Sequence, residues 1–198
     1  MKVALFDYGA GNLHSLAKAL VLGGADVRIE PDPRKCTEAD LLVLPGVGAF
    51  GPAAERLASA REAVWLALTG GLPCVGICLG MQLLFDGSDE GPGQGLGLIS
   101  GRVTKLGASR VPQIGWNAID GASDPLFQKA PLSHAYYANS FVCRPADPRH
   151  VIAWSTHEGD RFPAAVRAGN TVGFQFHPEK SSSAGVALLE AVLAEARR

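Results

Sequence analysis

Short apolar runs alternate with helical segments through the first half of this chain. "KVALFDYG" (residues 2–9) is a brief apolar run with β-branched Val3 and a glycine stop, the mark of a buried strand. "NLHSLAKALVLGG" sets Leu13, Leu16, Ala17 and Leu20 on one helical face and stops at glycines. "DVRIE" and "DLLVLPG" read as second and third strands, and "PAAERLASAREAVWLALTGG" as one long helix. "LPCVGIC" reads as a fourth strand and "LGMQLLFD" as the start of another helix. Strands that are apolar throughout need cover on both faces, and strand–helix alternation with short connections makes a parallel sheet. The pattern therefore predicts an α/β fold with a mostly parallel central sheet, helices on both faces, and a ligand site at the carboxyl ends of the strands.

From about Gly91 the texture changes. "EGPGQGLGLISGRV" is glycine-rich and irregular. Strand-like pieces follow ("GWNAID", "SHAYYANSFVC", "HVIAWST", "FPAAVRAG", "TVGFQF") and predict a smaller antiparallel or mixed extension. An amphipathic helix, "SSSAGVALLEAVLAEARR", closes the chain, with Ser181, Ser182 or Ser183 as its cap and Arg197 and Arg198 at its negative end. With no repeat and no linker, residues 1–198 read as a single domain.

Charge and cysteine use narrow the function. Eighteen basic and nineteen acidic side chains leave a net charge of -1, so nothing points to nucleic acid or an anionic membrane. No apolar run reaches the roughly 18 residues of a membrane span, and Asp7 ends the first apolar run too early for a signal peptide. Cys36, Cys74, Cys78 and Cys143 match neither a disulfide framework nor a metal knuckle, and the five histidines lack ligand spacing. The expectation is a cytoplasmic, metal-free protein with no cofactor.

One of those cysteines sits in an unusual place. Gly76-Ile77-Cys78-Leu79-Gly80 spans a strand-to-helix junction and has the form of a nucleophile elbow. Such a turn strains the central residue, pushes its side chain outward and needs neighbours without Cβ atoms. A buried structural cysteine at a tight turn fits the same residues. A free thiol has a pKa of about 8.5, and lowering it by two pH units takes roughly 2.7 kcal/mol. A helix terminus supplies only ~0.3–1 kcal/mol. A reactive Cys78 therefore needs a nearby base or cation.

"GFQFHPEKS" (residues 173–181) offers one. Pro178 keeps His177 extended, so His177 and Glu179, two apart, project the same way. Glu179 can hold one imidazole nitrogen while the other faces the thiol, which is triad logic with Cys, His and Glu. A third piece is Pro45-Gly46-Val47-Gly48, where glycines free backbone N–H groups. Val47 N–H and Leu79 N–H are the candidate oxyanion donors; a plain glycine turn explains this loop equally well.

With these pieces in place, the chain resembles the class I, triad-type glutamine amidotransferases. It is most similar to the glutaminase subunits of imidazole glycerol phosphate synthases. The stretches that carry the likeness are "DYGAGNLHS", "LPGVGAFG", "GICLGMQLLF", "VPQIGWN" and "GFQFHPEKSS". The resemblance implies a flavodoxin-like three-layer fold. It implies that Cys78 attacks the side-chain amide of L-glutamine, forms a glutamyl thioester and releases ammonia, after which water releases glutamate. The ammonia passes to a (β/α)8 cyclase subunit, the partner in a heterodimer. There it converts a phosphoribulosyl-formimino carboxamide nucleotide to imidazole glycerol phosphate and an aminoimidazole carboxamide ribotide, in histidine biosynthesis.

The resemblance also assigns residues. Gly46, Gly48 and Gln82 match positions beside bound glutamine, as do Asn139, Ser140 and Phe141 in "YYANSF". The family often has His where this chain has Asn139 and Tyr where it has Phe141. Asn12, Trp116, Asn117, Tyr136 and Lys180 match positions at or near the cyclase interface. Glutaminase activity is expected to need the cyclase with nucleotide bound. Three other readings use the same residues: the glutaminase of another triad amidotransferase such as pyridoxal phosphate synthase, an inactive partner-binding scaffold, and a stand-alone cysteine hydrolase.

Overall fold

The computed structural model describes residues 1–9, 13–46 and 48–198. Asn12 and Val47, an interface and an oxyanion candidate, lie outside the described residues. The N-terminal strands are β1 (Lys2–Phe6), β2 (Asp26–Glu30), β3 (Leu41–Leu44) and β4 (Cys74–Ile77). The helices among them are α1 (His14–Leu22), α2 (Pro33–Cys36), α3 (Phe50–Ala58) and α4 (Arg61–Thr69), and α5 (Leu79–Gln82) follows β4. Short strands β5 (Gly87–Ser88), β6 (Gly101–Lys105) and β7 (Gln113–Ala118) come next, then α6 (Pro125–Lys129). The C-terminal part holds β8 (His134–Asn139), β9 (Phe141–Pro145), β10 (Val151–His157), β11 (Asp160–Ala168), β12 (Thr171–Phe174) and α7 (Ser182–Ala196).

Seven strands form the central sheet in the order β10-β11-β12-β4-β3-β1-β2. From β12 to β2 every pairing is parallel; β11 and β10 add an antiparallel edge. Side chains that alternate along each strand divide into two cores. Val3, Leu5, Leu41, Val43, Val75 and Ile77 face α1 and α7, whose Leu16, Leu20, Leu188 and Leu193 cover them. Ala4, Phe6, Leu42, Leu44 and Cys74 face α3 and α4, which supply Phe50, Leu57, Val64 and Leu68. This is the doubly covered parallel sheet expected from the apolar runs. β3, β4 and β12 are buried at every position, whereas β2 at the edge is largely exposed.

Three local expectations change. The long helix divides into α3 and α4 at Ser59–Ala60, because the Ser59 carbonyl accepts from Arg34 Nη2 at 2.7 Å and Ala60 N–H turns back to Leu57 O. "SHAYYANSFVC" is two strands: β8 pairs with β7, then the chain switches sheets at Ser140 and β9 pairs with β6. Ser181 precedes α7 without capping it by its side chain. Its Oγ instead donates to His177 O at 2.6 Å and accepts from Tyr136 N–H at 2.9 Å. At the far end of α7, Arg197 Nη2 donates to the carbonyls of Gly23 and Gly24 after α1, which ties the two helices of that face together.

Candidate active site

β12, β4 and β3 are neighbours in the sheet, so the segments leaving their carboxyl ends meet. After β3 come Gly46 and Gly48, after β4 comes Cys78, and after β12 comes His177. Register fixes the level: Phe174 pairs with Ile77, and Leu44 with Gly76. Two residues far apart in sequence are thereby placed side by side by strand order alone.

Cys78 has φ 47° and ψ -101°, a backbone conformation that non-glycine residues rarely adopt. Cys78 N–H donates to Phe174 O at 2.6 Å, which pins the strained residue to β12. The flanking glycines are needed for space. A Cβ on Gly76 would lie 2.6 Å from the Gly80 carbonyl, and one on Gly80 would overlap the Leu44 carbonyl oxygen. The elbow is thus packed backbone to backbone against β3.

His177 and Glu179 are both nearly buried, and His177 Nδ1 meets Glu179 Oε1 at 2.9 Å. His177 is extended (φ -101°, ψ 96°), but Pro178–Lys180 form a 3-10 turn, so it is this turn rather than a straight strand that returns Glu179 to the ring. With Nδ1 engaged, Nε2 is left for Cys78, which lines the same cavity and whose Cβ, like His177 Cε1, lies about 3 Å from where a Cβ on Gly46 would stand. Burial opposes a charged ring, but the bonds and charges of Cys78 and Glu179 outweigh it and raise the imidazole from 6.5 to about 10. The other thiols are the reverse case. Burial pushes Cys36 up to about 12, and Cys74 and Cys143 well up, so all three stay neutral.

A cavity of about 300 Å³ opens over the sulfur. It is lined by Gly46, Gly48, Cys78, Leu79, Gln82, Asn139, Ser140, Phe141, His177 and Lys180, together with Glu90 and Ala138. Gln82 and Asn139 are buried, and both side-chain amides donate to Phe141 O, at 3.2 and 3.1 Å. This shared acceptor fixes the wall of the cavity through backbone, so the wall does not need a phenolic hydroxyl at Phe141. Asn139 Oδ1 is buried and unpartnered among the described residues. Leu79 is the first residue of α5, where an amide has no partner inside the helix. Glu90 was not singled out from sequence. Its Oε2 accepts from Phe50 N–H at 2.9 Å, which holds a carboxylate at the cavity wall. Its only sequence signal is an acid in a glycine-rich loop.

The interface candidates lie on β7, β8 and the turn that follows His177. Trp116 is 56% exposed and packs edge-on against Tyr136, with ring centroids 6.5 Å apart. Lys180 Nζ stands 5.9 Å over the Tyr136 ring. Ile114, 68% exposed, extends this apolar ribbon along β7 and was also not singled out. Asn117 alternates to the other side of β7, where its Nδ2 donates to Thr156 O and its Oδ1 accepts from Ala118 N–H. Its polar atoms are committed within the chain.

Comparison with known proteins agrees with this geometry. The family model described as Glutamine amidotransferase class-I matches residues 4–195. The imidazole glycerol phosphate synthase subunit HisH of Thermus thermophilus is 46% identical over 194 residues, covering 96% of this chain and 95% of that protein. The subunit of the same name from Halobacterium salinarum is 44% identical over 197 residues, covering 94% and 90%. Among solved structures, PurLQS from Thermotoga maritima superposes with a TM-score of 0.78 at 19% identity, covering 98% of each chain, a likeness of fold. A cysteine elbow, a His-Glu pair at the neighbouring strand end and a match along nearly the whole chain have one common source: this chain belongs to the class I glutamine amidotransferases.

Proposed function

We propose that this chain, as one domain over residues 1–198, is the cytoplasmic glutaminase subunit of an imidazole glycerol phosphate synthase. The observation that carries the reading is the cavity that Cys78 and His177 line together, side by side at Gly46, with His177 Nδ1 held from behind by Glu179. Among the described residues no helix is long and apolar enough to cross a membrane.

L-Glutamine enters with its amide over Cys78. Its α-ammonium needs an acceptor, and Glu90 is the carboxylate on the cavity wall; Gln82, Asn139 and Ser140 meet the rest of the amino-acid end. The proton that Cys78 gives up resides on His177 Nε2. Sulfur attacks the amide carbon and a tetrahedral oxyanion forms, stabilised by Leu79 N–H and by Val47 N–H from the Gly46–Gly48 loop. His177 passes its proton to the departing nitrogen, the C–N bond breaks and ammonia leaves. Water then attacks the thioester, His177 accepts a proton from it, and sulfur is expelled as glutamate forms. Glu179 keeps the ring oriented and balances its charge throughout.

The acceptor of the ammonia is a cyclase subunit seated on the ribbon of Ile114, Trp116 and Tyr136, with Lys180 at its edge. Exposed aromatic anchors of this kind are common centres of interfaces. Enclosure matters because ammonia in neutral water is mostly protonated and then has no free electron pair. Reconstitution with an imidazole glycerol phosphate synthase cyclase tests the reading. Glutamate release should rise steeply when cyclase and nucleotide are both present. Cys78→Ala should abolish product formation from glutamine yet leave it intact with added ammonium salt. Equal glutamate release with and without the cyclase would remove the partner, and a fully active Cys78→Ala would remove the mechanism.

A further inference from the structure

Gln175 lies between β12 and His177, and none of its surface is exposed. Its backbone N–H donates to Ala164 O at 2.9 Å, which continues the β11–β12 pairing. Its side chain reaches toward the end of β4, where Nε2 donates to Cys78 Sγ at 3.6 Å. Its Oε1 has no partner among the described residues. An amide buried with one end unmatched is costly, and a methionine of similar volume would pack the same space without that cost. The polar atom that is in use points at the reacting sulfur.

A thiol is a weak acceptor, whereas a thiolate is a strong one, and an N–H aimed at it favours the charged form. The titratable groups around the sulfur are His177 after β12, backed by Glu179 at its Nδ1, and Cys143 on β9, with Glu90 and Lys180 lining the same cavity. His177 gives its proton away during turnover, so it cannot donate to sulfur at every step. Gln175 can, because it is not a proton carrier.

We propose that Gln175 is a second, permanent hydrogen-bond donor to the Cys78 sulfur, holding the thiolate before attack and receiving it again when the thioester breaks. The inference deepens the glutaminase reading and rests on it for its purpose. The bond itself is present without substrate, so it is tested without glutamine or partner.

Iodoacetamide alkylates Cys78 by forming a C–S bond as iodide leaves. The rate is measured across roughly pH 5 to 10 by mass spectrometry, on the full chain and on Gln175→Met. In the variant, alkylation at neutral pH should slow about tenfold and the rising limb of the profile should move to higher pH, with the plateau unchanged within about twofold. Superimposable profiles would overturn the proposal. A second measurement needs no variant: in the unmutated chain, the Gln175 side-chain amide resonances should move with pH in step with the alkylation profile. Resonances that ignore that transition would equally overturn it. An inactive glutaminase would leave both readouts intact, whereas unmoved profiles in a chain that turns over glutamine would reject the Gln175 bond alone.

Discussion

A single methyl group placed at Gly46 should silence the enzyme while leaving it folded. A Cβ there would lie 2.9 Å from His177 Cε1, 2.9 Å from Ile77 O and 3.0 Å from Cys78 Cβ. Ordinary carbon contacts begin near 3.5 Å, so each neighbour must give by about half an ångström. Ile77 O belongs to a central strand and cannot. The His177 ring is held by Glu179 and its backbone N–H is fixed to Tyr136 O, yet its side chain is the softest of the three. The strain of about 1–3 kcal/mol is a small part of typical domain stability, and the ring moves away from the sulfur. Misplacement of a reacting group by about 1 Å costs on the order of a hundredfold in rate. The assay is glutamate release by Gly46→Ala in the reconstituted pair, beside a denaturation curve. A folded variant that turns over within about twofold of the parent would refute the claim that this glycine exists to let sulfur and imidazole meet.

Gly80→Ala should fail differently, as insoluble chain on expression, because its Cβ would overlap the Leu44 carbonyl in the central sheet; a soluble, folded variant would contradict the packing of the elbow. Glu179→Gln removes a nearly buried carboxylate from His177 Nδ1, so kcat should fall by about 10³ or more while KM for glutamine changes little. The stability that the His177 ring gains from its partners is fully present below 6.5, its ordinary value, and is lost as pH rises through about 10. Chemical denaturation should show that loss in the parent and a smaller one in Glu179→Gln. Arg167→Met strands the Asp124 carboxylate, whose side chain is 8% exposed, and should cost ~3–5 kcal/mol of unfolding free energy. Trp116→Ala should weaken cyclase binding at least tenfold, with unfolding free energy changed by less than about 0.5 kcal/mol.

The sheet was legible because its strands are buried on both faces, which leaves unbroken apolar runs such as "LLVL" and "CVGI". β6 was hidden: "GRVTK" has one buried apolar side chain, Val103, and is recognisable as a strand only through its pairing with β9. α6 did have a local signal, since Asp124 caps it at Leu126 N–H and Pro125 follows; the short "DPLF" carries too few turns for apolar periodicity to reveal. The break between α3 and α4 depends on Arg34, 25 residues upstream of Ser59, so no window on the helix itself contains its cause. At the site, Cys78 and His177 were marked by motifs whose glycines and proline constrain backbone. Glu90 and Gln175 are marked by contact alone, a polar residue among many until the strands are ordered.

The segment that bears His177 is held from the side of the exposed ribbon. Tyr136 accepts from His177 N–H through its carbonyl and donates through its own N–H to Ser181 Oγ. Ser181 Oγ in turn donates to His177 O. These bonds clamp both ends of the His177–Ser181 turn to one residue of β8, and that residue's ring carries Trp116 on its edge and Lys180 over its face. A protein pressed onto the ribbon therefore bears on the strand that sets the height of the imidazole, and a shift of β8 moves His177 and Ser181 together rather than bending the turn between them. Cys78 is anchored elsewhere, to Phe174 O in the central sheet. Cys78 and His177 thus hang from different supports, one internal to the central sheet, one near the surface. Under the proposed function, a cyclase docked on the ribbon would act on the sulfur–imidazole distance through β8, without contact to either group.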